Sequence, residues 1–137
     1  MAVSASWDLQ QSVYNFLVND VTITGALGGQ SVYDDVPQRA SFPYITFGQT
    51  SARDWSGGDD EGKEHVFTMH VWSKGAGKKE THEIMGAICD KLHDESLQLN
   101  DHHLVNLRCE FSEARRTPDG EKMHGIVRYR AVTEPVV

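Results

Sequence analysis

Two neighbouring segments contain residues that bind phosphate or zinc in other proteins. Gly77 and Lys78 stand between a predicted strand and a predicted helix, as the Gly-Lys pair of a nucleotide-binding phosphate loop does. The pattern G-x-x-x-x-G-K-[ST] also needs an earlier glycine, and a hydroxyl after the lysine to hold magnesium. Trp72 and Lys79 occupy these two positions. We therefore predict no nucleotide site and interpret Gly75 and Gly77 as turn residues.

The following helix begins with His82 and Glu83, the first two residues of the zinc-protease motif H-E-x-x-H. Zinc binding needs the second histidine of that motif on the same helix face. Gly86 occupies its position, and the next histidine, His93, lies roughly 16 Å farther along the helix axis. We predict no catalytic residue, cofactor or metal site. The other histidines considered are interpreted as scattered surface or interface residues: His65, His70, His102 and His103.

The composition restricts the classes of function. The 137-residue chain has 20 acidic and 13 basic residues, a formal net charge of −7, which argues against a surface built to neutralise duplex DNA. No apolar run approaches the roughly 20 residues of a membrane-spanning helix, and the first residues do not resemble a secretory signal. Cys89 and Cys109 are predicted to be reduced, packed thiols rather than a disulfide or a nucleophile.

The elements that would position these residues begin with an amphipathic helix over residues 7–19, capped by Ser6. Leu9, Val13, Phe16 and Leu17 form its apolar stripe, at the spacing of one helix face. A second helix is predicted over residues 78–93.

Four strand-like segments each have two unlike faces: residues 44–50, 65–73, 104–112 and 124–132. Alternation with a period of two is typical of antiparallel strands that are covered on one side. The predicted fold class is α+β: a mainly antiparallel four-stranded sheet with two helices packed on one face, in the order α-β-β-β-α-β-β. No linker divides the chain, so residues 1–137 are predicted to form a single domain.

The apolar strand positions predict which residues build the core beneath the helices. They are Phe67, Met69, Val71, Val105, Leu107, Phe111, Val127 and Tyr129. The other sheet face is half polar, yet it keeps Tyr44, Trp72 and Ile126. Such a face is too charged to be the buried core of a monomer and too apolar to be fully exposed to solvent. It therefore predicts a subunit that forms an interface with other copies of itself.

Two connections are long enough to be working surfaces. Residues 51–64 form an acidic loop that also contains a tryptophan, and residues 113–122 form the tip of the last predicted hairpin. One interpretation is two solvated hairpin tips. The other is that the acidic loop and the basic tip meet across a boundary between copies or partners, with the tryptophan as anchor. The candidate interface residues are Arg53, Asp54, Trp55, Arg115 and Arg116.

Three segments carry a resemblance to a known family. "GGQSVYDDVPQRASFPYITFG" resembles the signature of the tail terminator, or tail completion, proteins of long-tailed (siphovirus-type) phages and gene transfer agents. "EHVFTMHVWSKGAGKKETHEIMGAI" resembles that family's strand ending in Val-Trp-Ser and its helix, and "RRTPDGEKMHGIVRYRA" resembles its last two strands. The resemblance covers nearly the whole chain. The acidic insertion around Asp59 to Glu61 departs from the family pattern.

The resemblance implies a structural virion assembly protein rather than an enzyme. Family members form a homohexameric ring that caps the tail tube, stops its elongation and joins the head–tail connector or stopper protein. The helices face outward and the sheets face a channel, through which DNA passes without specific binding. Six copies at −7 each would carry −42 formal charges, which would let a polyanion pass if enough of that charge faces the channel. The expected location is the tail or neck of a particle assembled in the bacterial cytoplasm, with no membrane partner.

Two alternatives remain from the residues alone. Another component of the head–tail neck, such as a stopper or adaptor subunit, would differ from a terminator in copy number and position. A small metal-dependent hydrolase or nuclease would use His82, Glu83, His102 or His103, and a chelator would abolish its activity.

Overall fold

The computed structural model describes residues 4–55, 62–74 and 78–136, and the predicted α+β class is confirmed. The helices and strands are α1 (Ala5–Asn19), α2 (Val21–Leu27), β1 (Val32–Tyr33), β2 (Tyr44–Asp54), β3 (Lys63–Lys74), α3 (Lys78–Leu92), β4 (His102–Arg116) and β5 (Lys122–Pro135). The strands form one sheet in the order β1-β2-β3-β5-β4. The four long strands pair antiparallel, as predicted, and β1 adds a short parallel fifth strand beside β2.

The predicted order contained a short first strand, which β1 confirms, but the sheet was predicted with four strands and two helices, whereas the described residues form five strands and three helices. The missed helix, α2, contains the β-branched sequence Val-Thr-Ile-Thr, which by itself disfavours a helix. Its start is fixed by Asp20, whose carboxylate accepts the N–H groups of Thr22 and Ile23 at 3.0 Å each. Gly28 ends the helix with a φ of 79°, and buried Ile23 and Leu27 attach it to the core.

Helix α1 begins earlier than predicted. Ser4, rather than Ser6, is the N-cap, because its hydroxyl accepts the Trp7 N–H at 3.2 Å. The predicted apolar stripe is confirmed, since Leu9, Val13 and Leu17 are all buried. Asp8 provides a second attachment of α1 to the rest of the fold.

The buried carboxylate of Asp8 ties α1 to the start of β4. It accepts the N–H groups of Asn100 and Asp101 and a ring N–H of His102, each at 2.8 Å. Burial alone would raise the pKa of Asp8, but these hydrogen bonds outweigh it and the pKa is lowered. The outermost strand is thereby fixed to the helical layer.

Helix α3 lies on the same sheet face as α1. Gly125 of β5 lets it approach, because a Cβ at that position would lie 2.6 Å from the sulfur of Met85. The Tyr129 hydroxyl donates to the Ile88 carbonyl at 2.9 Å, and its ring stacks on Phe67. Six of the eight predicted core residues are confirmed as buried: Phe67, Met69, Val71, Leu107, Val127 and Tyr129.

The other two predicted core residues, Val105 and Phe111, are 42% and 40% exposed. Strand β4 has two register shifts, one between Leu104 and Asn106 and one between Cys109 and Phe111. Each shift inserts one residue and reverses the alternation of side chains. Phe111 consequently pairs with Arg128 on the opposite face of the sheet. None of the helices in the described residues is long and apolar enough to span a membrane.

Candidate assembly interface

The sheet face that turns away from α1 and α3 is the candidate interface, and we call it the open face. Alternation along β3 and β5 places Thr68, His70, Trp72, Ile126 and Arg128 on it, all partly exposed. The interpretation of His65 as a surface or interface histidine is wrong, since it is buried on the covered face beneath α1, whereas His70 lies on the open face. The prediction that Tyr44, Trp72 and Ile126 share the uncovered face agrees with the strand register.

The open face has a charge opposite to that of the chain. Seven basic residues occupy its paired positions: Arg53, Lys74, Arg108, Arg115, Lys122, Arg128 and Arg130. Three acidic residues do so: Glu64, Glu113 and Glu134. The net charge of these positions is seven minus three, or +4. Because the whole 137-residue chain has a formal net charge of −7, its remaining residues sum to −11. The charge of these described positions is therefore opposite in sign to the acidic lining expected if this face meets the channel.

Three aromatic rings form a stack at the centre of the open face. Trp72 lies flat against His124, with ring centroids 4.0 Å apart and planes 5° from parallel. His124 Nε2 and His70 Nδ1 are 2.7 Å apart, so one ring nitrogen donates and the other accepts. Trp72 Nε1 donates to Thr46 at 3.1 Å. Burial, followed by the charge of Arg115, lowers the pKa of His70, and burial, His70 and Arg115 lower that of His124.

The imidazole stack is fitted against the backbone of β2. A Cβ on Gly48 would lie 2.4 Å from His70 Nε2, so only a glycine leaves room for this ring. The hydrogen bond between His70 and His124 needs one ring nitrogen without a proton as its acceptor. The pair is therefore stable when the rings are neutral. The arrangement fixes the positions of the His70, Trp72 and His124 side chains.

A second polar cluster lies toward the far end of the open face. Glu64 receives Arg53 Nε at 2.5 Å and Arg130 Nη2 at 2.5 Å. These two guanidinium groups hold the pKa of the Glu64 carboxyl below its usual value. Arg53 is otherwise well exposed, with 80% of its side chain accessible. The cluster thus carries a net positive charge, with Arg53 exposed on its outer side.

The candidate interface residues fall into two groups at opposite ends of the sheet. Arg53 and Asp54 end β2, and Trp55 follows with 46% of its surface exposed. Arg53 on β2 lies opposite Glu64 on β3. Arg115 on β4 lies opposite His124 on β5, which in turn lies opposite Trp72 on β3. Eight positions of β3 separate Glu64 from Trp72, or roughly 27 Å. The two groups of described candidate residues, at the end of β2 and at the end of β4, therefore lie far apart within one subunit.

Both long connections are shorter than the sequence suggested, because the strands extend into them. Residues 51–54 and 63–64 belong to β2 and β3, and residues 113–116 belong to β4. The acidic residues Asp59, Asp60 and Glu61 lie outside the described residues. The hairpin tip is a tight turn, closed by the Lys122 N–H donating to the Thr117 hydroxyl at 3.1 Å and by Gly120 with a φ of 75°.

An apolar groove lies on the helical side of the protein and was not predicted from the sequence. Trp7 and Tyr14 of α1, 46% and 39% exposed, line it together with Phe47 and Asp34. Its volume is about 340 Å³. Trp7 and Tyr14 are two helical turns apart and off the buried stripe, so a helical projection of residues 7–19 could have revealed them.

The residues of the broken chemical motifs do not converge. His82 and Glu83 are exposed on α3, and His102 is bonded to Asp8 at the start of β4. Among the described residues there is no group of three or more metal-binding side chains. Gly75 and Gly77 lie outside the described residues.

Comparisons with known proteins agree with the resemblance seen in the sequence. The family model described as "Tail completion protein gp17" matches residues 11–134. A chain in the solved structure titled "Virion of native gene transfer agent (GTA) particle" is 28% identical, with a TM-score of 0.88. The similarity covers 97% of this chain and 99% of that chain. No curated protein sequence matches significantly.

Proposed function

The chain belongs to the tail completion protein gp17 family, and on this premise we propose that it closes the tail of a phage or gene transfer agent particle. It is a structural protein of the virion tail. In the finer proposal it forms a homohexameric ring that caps the tail tube, stops its elongation and joins the tail to the head–tail connector. The observation that carries this proposal is the match over nearly the full length of a chain from a gene transfer agent virion.

The two unlike ends of the sheet support a ring. A closed ring requires a head-to-tail contact, in which two different patches of one chain meet on neighbouring copies. Arg115 and Arg116 end β4 at one end of the sheet, whereas Arg53 and Asp54 end β2 at the other, and the acidic segment around Asp59 to Glu61 follows them in the sequence. We propose that these two ends meet between copies or at the contact with a partner, with Trp55 as the buried anchor.

The decisive experiment is to delete the gene and image the particles. Without a terminator, tails should grow to uncontrolled lengths and fail to join heads. Tails of normal length that lack heads would instead favour the alternative, a stopper or adaptor subunit. Normal infectious or transducing particles would overturn both assignments.

A charge-reversal variant tests the proposed contact. Arg115→Glu with Arg116→Glu should leave the fold unchanged, because both side chains are exposed, yet prevent ring formation or tail attachment. Lys78→Glu with Lys79→Glu is a matched control, since it makes the same charge change at an exposed site on α3. Light scattering should distinguish the 15.3-kDa chain from its hexamer, and complementation of the deletion should report attachment. Normal assembly of the first variant would remove the role proposed for the hairpin tip.

We also propose that DNA passes this protein without specific binding. The net charge of −7 supports weak contact overall, whereas the net charge of +4 on the open face allows brief contact with phosphates. Fluorescence anisotropy with duplexes of different sequence should show no preference among them. Tight binding at physiological salt would contradict the proposal.

A further inference from the structure

The two cysteines of the chain are in direct contact. Cys89 on α3 and Cys109 on β4 place their sulfur atoms 2.8 Å apart, although 20 positions separate them in the sequence. Both side chains are free thiols and only partly buried. They lie between the helical layer and the sheet, where Cys109 pairs with Tyr129. The prediction that they are packed thiols holds, but it did not foresee that they pack against each other.

The surrounding backbone holds the two cysteines in register. The Cys109 N–H donates to His93 Nδ1 at 3.1 Å, one turn of α3 beyond Cys89. The Asp94 N–H donates to the Leu107 carbonyl at 2.7 Å. Two hydrogen bonds therefore already tie the end of α3 to the middle of β4, so the sulfur atoms meet without a backbone rearrangement.

We propose that Cys89 and Cys109 are a covalent modification site, at which a small-molecule disulfide oxidant produces one intrachain disulfide between α3 and β4. The sulfur of Cys109 attacks the oxidant, loses its proton to solvent and releases one small thiolate, which takes up a proton. Cys89 then attacks the Cys109 sulfur of this mixed disulfide, loses its proton and releases the second small thiol. The protein loses two protons and two electrons, and the small disulfide takes up the same number to become two thiols.

The structure also leads us to expect that the pair oxidises slowly inside a cell. Burial, together with the hydrogen bond to Cys109, raises the pKa of the Cys89 thiol to about 12. Since the thiolate is the reactive form, the closing step is slow at neutral pH. A reducing cytoplasm reverses whatever forms. A particle that leaves the cell meets an oxidising medium, so the disulfide should accumulate there; this last step rests on the proposed function.

The chemical claim can be tested on the purified full-length chain. Oxidised glutathione should lower the number of titratable thiols in the folded protein from two to none, with no glutathione attached and a linked peptide pair in a digest. The oxidised chain should melt about 5 °C or more above the reduced chain, because the bond closes a loop of moderate length. Cys89→Ser and Cys109→Ser are the matched controls. Cys89→Ser should retain a glutathione adduct on Cys109, because the resolving thiol is absent, whereas Cys109→Ser should keep the Cys89 thiol, whose pKa is raised. Neither variant should gain an intrachain bond or melt at a higher temperature on oxidation.

Three outcomes would overturn the site. They are two thiols that remain titratable after oxidation, stable glutathione adducts on both cysteines, and disulfide-linked dimers in place of the intrachain bond. None depends on tail assembly, so they are distinct from failure of the proposed function. For the cellular step, alkylation before lysis should label both cysteines inside cells and neither in released particles. Equal labelling in both samples would overturn that step alone.

Discussion

The two faces of the sheet are stabilised by different kinds of interaction. The covered face consists of apolar side chains of fixed volume, such as Met69 and Leu107, which are fully buried beneath the helices. The open face has a ring stack, a carboxylate held by two arginines and the Arg128 guanidinium placed 4.7 Å over the ring of Phe111. The covered face thus depends on packing, whereas the open face depends on directional pairs that can be exchanged for contacts with another molecule. A subunit that must be stable alone and bind later needs both.

The strongest test of this difference uses two adjacent residues of β4. Leu107→Ala removes a fully buried side chain and should lower the free energy of unfolding by about 3 kcal/mol. Arg108→Ala, one residue along on the open face, should change it by no more than about 0.5 kcal/mol. Urea denaturation measures both. Equal losses would mean that the open face is packed as a core.

Asp8 tests whether the helical cover depends on its polar fastening as well as on packing. Asp8→Asn keeps the shape but replaces an acceptor oxygen by a donor that faces the N–H groups of Asn100 and Asp101. The expected loss is about 2 kcal/mol of unfolding free energy. Asp90→Asn, at an exposed site on α3, is the control and should be nearly neutral. A loss no greater than that of the control would show that the attachment is dispensable.

The pH dependence of stability should involve both faces. Burial lowers the pKa of His65 from its ordinary 6.5, as it does for His70 and His124. Below pH 6.5 the unfolded chain takes up protons that the folded chain does not, so stability falls as pH drops toward the depressed pKa values. The melting temperature should therefore decrease from about pH 7.5 to about pH 5.5. His65→Gln should flatten the decrease more than His124→Gln, because only His65 is fully buried. A melting temperature independent of pH would refute the assignment.

The smallest expected effect concerns the carboxylate cluster of the open face. Glu64→Gln keeps the shape of the side chain but removes the charge that attracts Arg53 and Arg130. The melting temperature should fall, by less than for Asp8→Asn, and should become less sensitive to salt. Glu113→Gln on the same face is exposed and serves as the control. Identical behaviour of the two variants would show that the cluster is not a stabilising unit.

The sequence predicted β3 and β5 well because these central strands pair without a register shift. It failed for half of β4, since the alternation of Val105, Leu107, Cys109 and Phe111 is regular in the sequence and the bulges arise from pairing with β5. Likewise, the β-branched residues of α2 do not predict a helix. The helix forms because Asp20 caps its start and its apolar residues are buried. Long-range contacts decided each of these cases.

Candidate interface residues could be proposed from the sequence, but their arrangement in the fold could not. The sequence identified Trp55 and Arg115 as candidates, yet only the strand register shows that they lie at opposite ends of the sheet. The same holds for the contact between Cys89 and Cys109 and for the positive charge of the open face. Composition gave the sign of the total charge, whereas pairing determines where each charge is placed.

The bulges of β4 have a further consequence for a protein made in many copies. This strand is the outer margin of the sheet, where free N–H and C=O groups could template the backbone of another chain. Two interruptions in its hydrogen-bonding repeat, and the exposed charges of Arg108, Glu110 and Glu113, prevent a stray strand from extending along it. Both features disfavour strand addition as a route to aggregation between newly made copies.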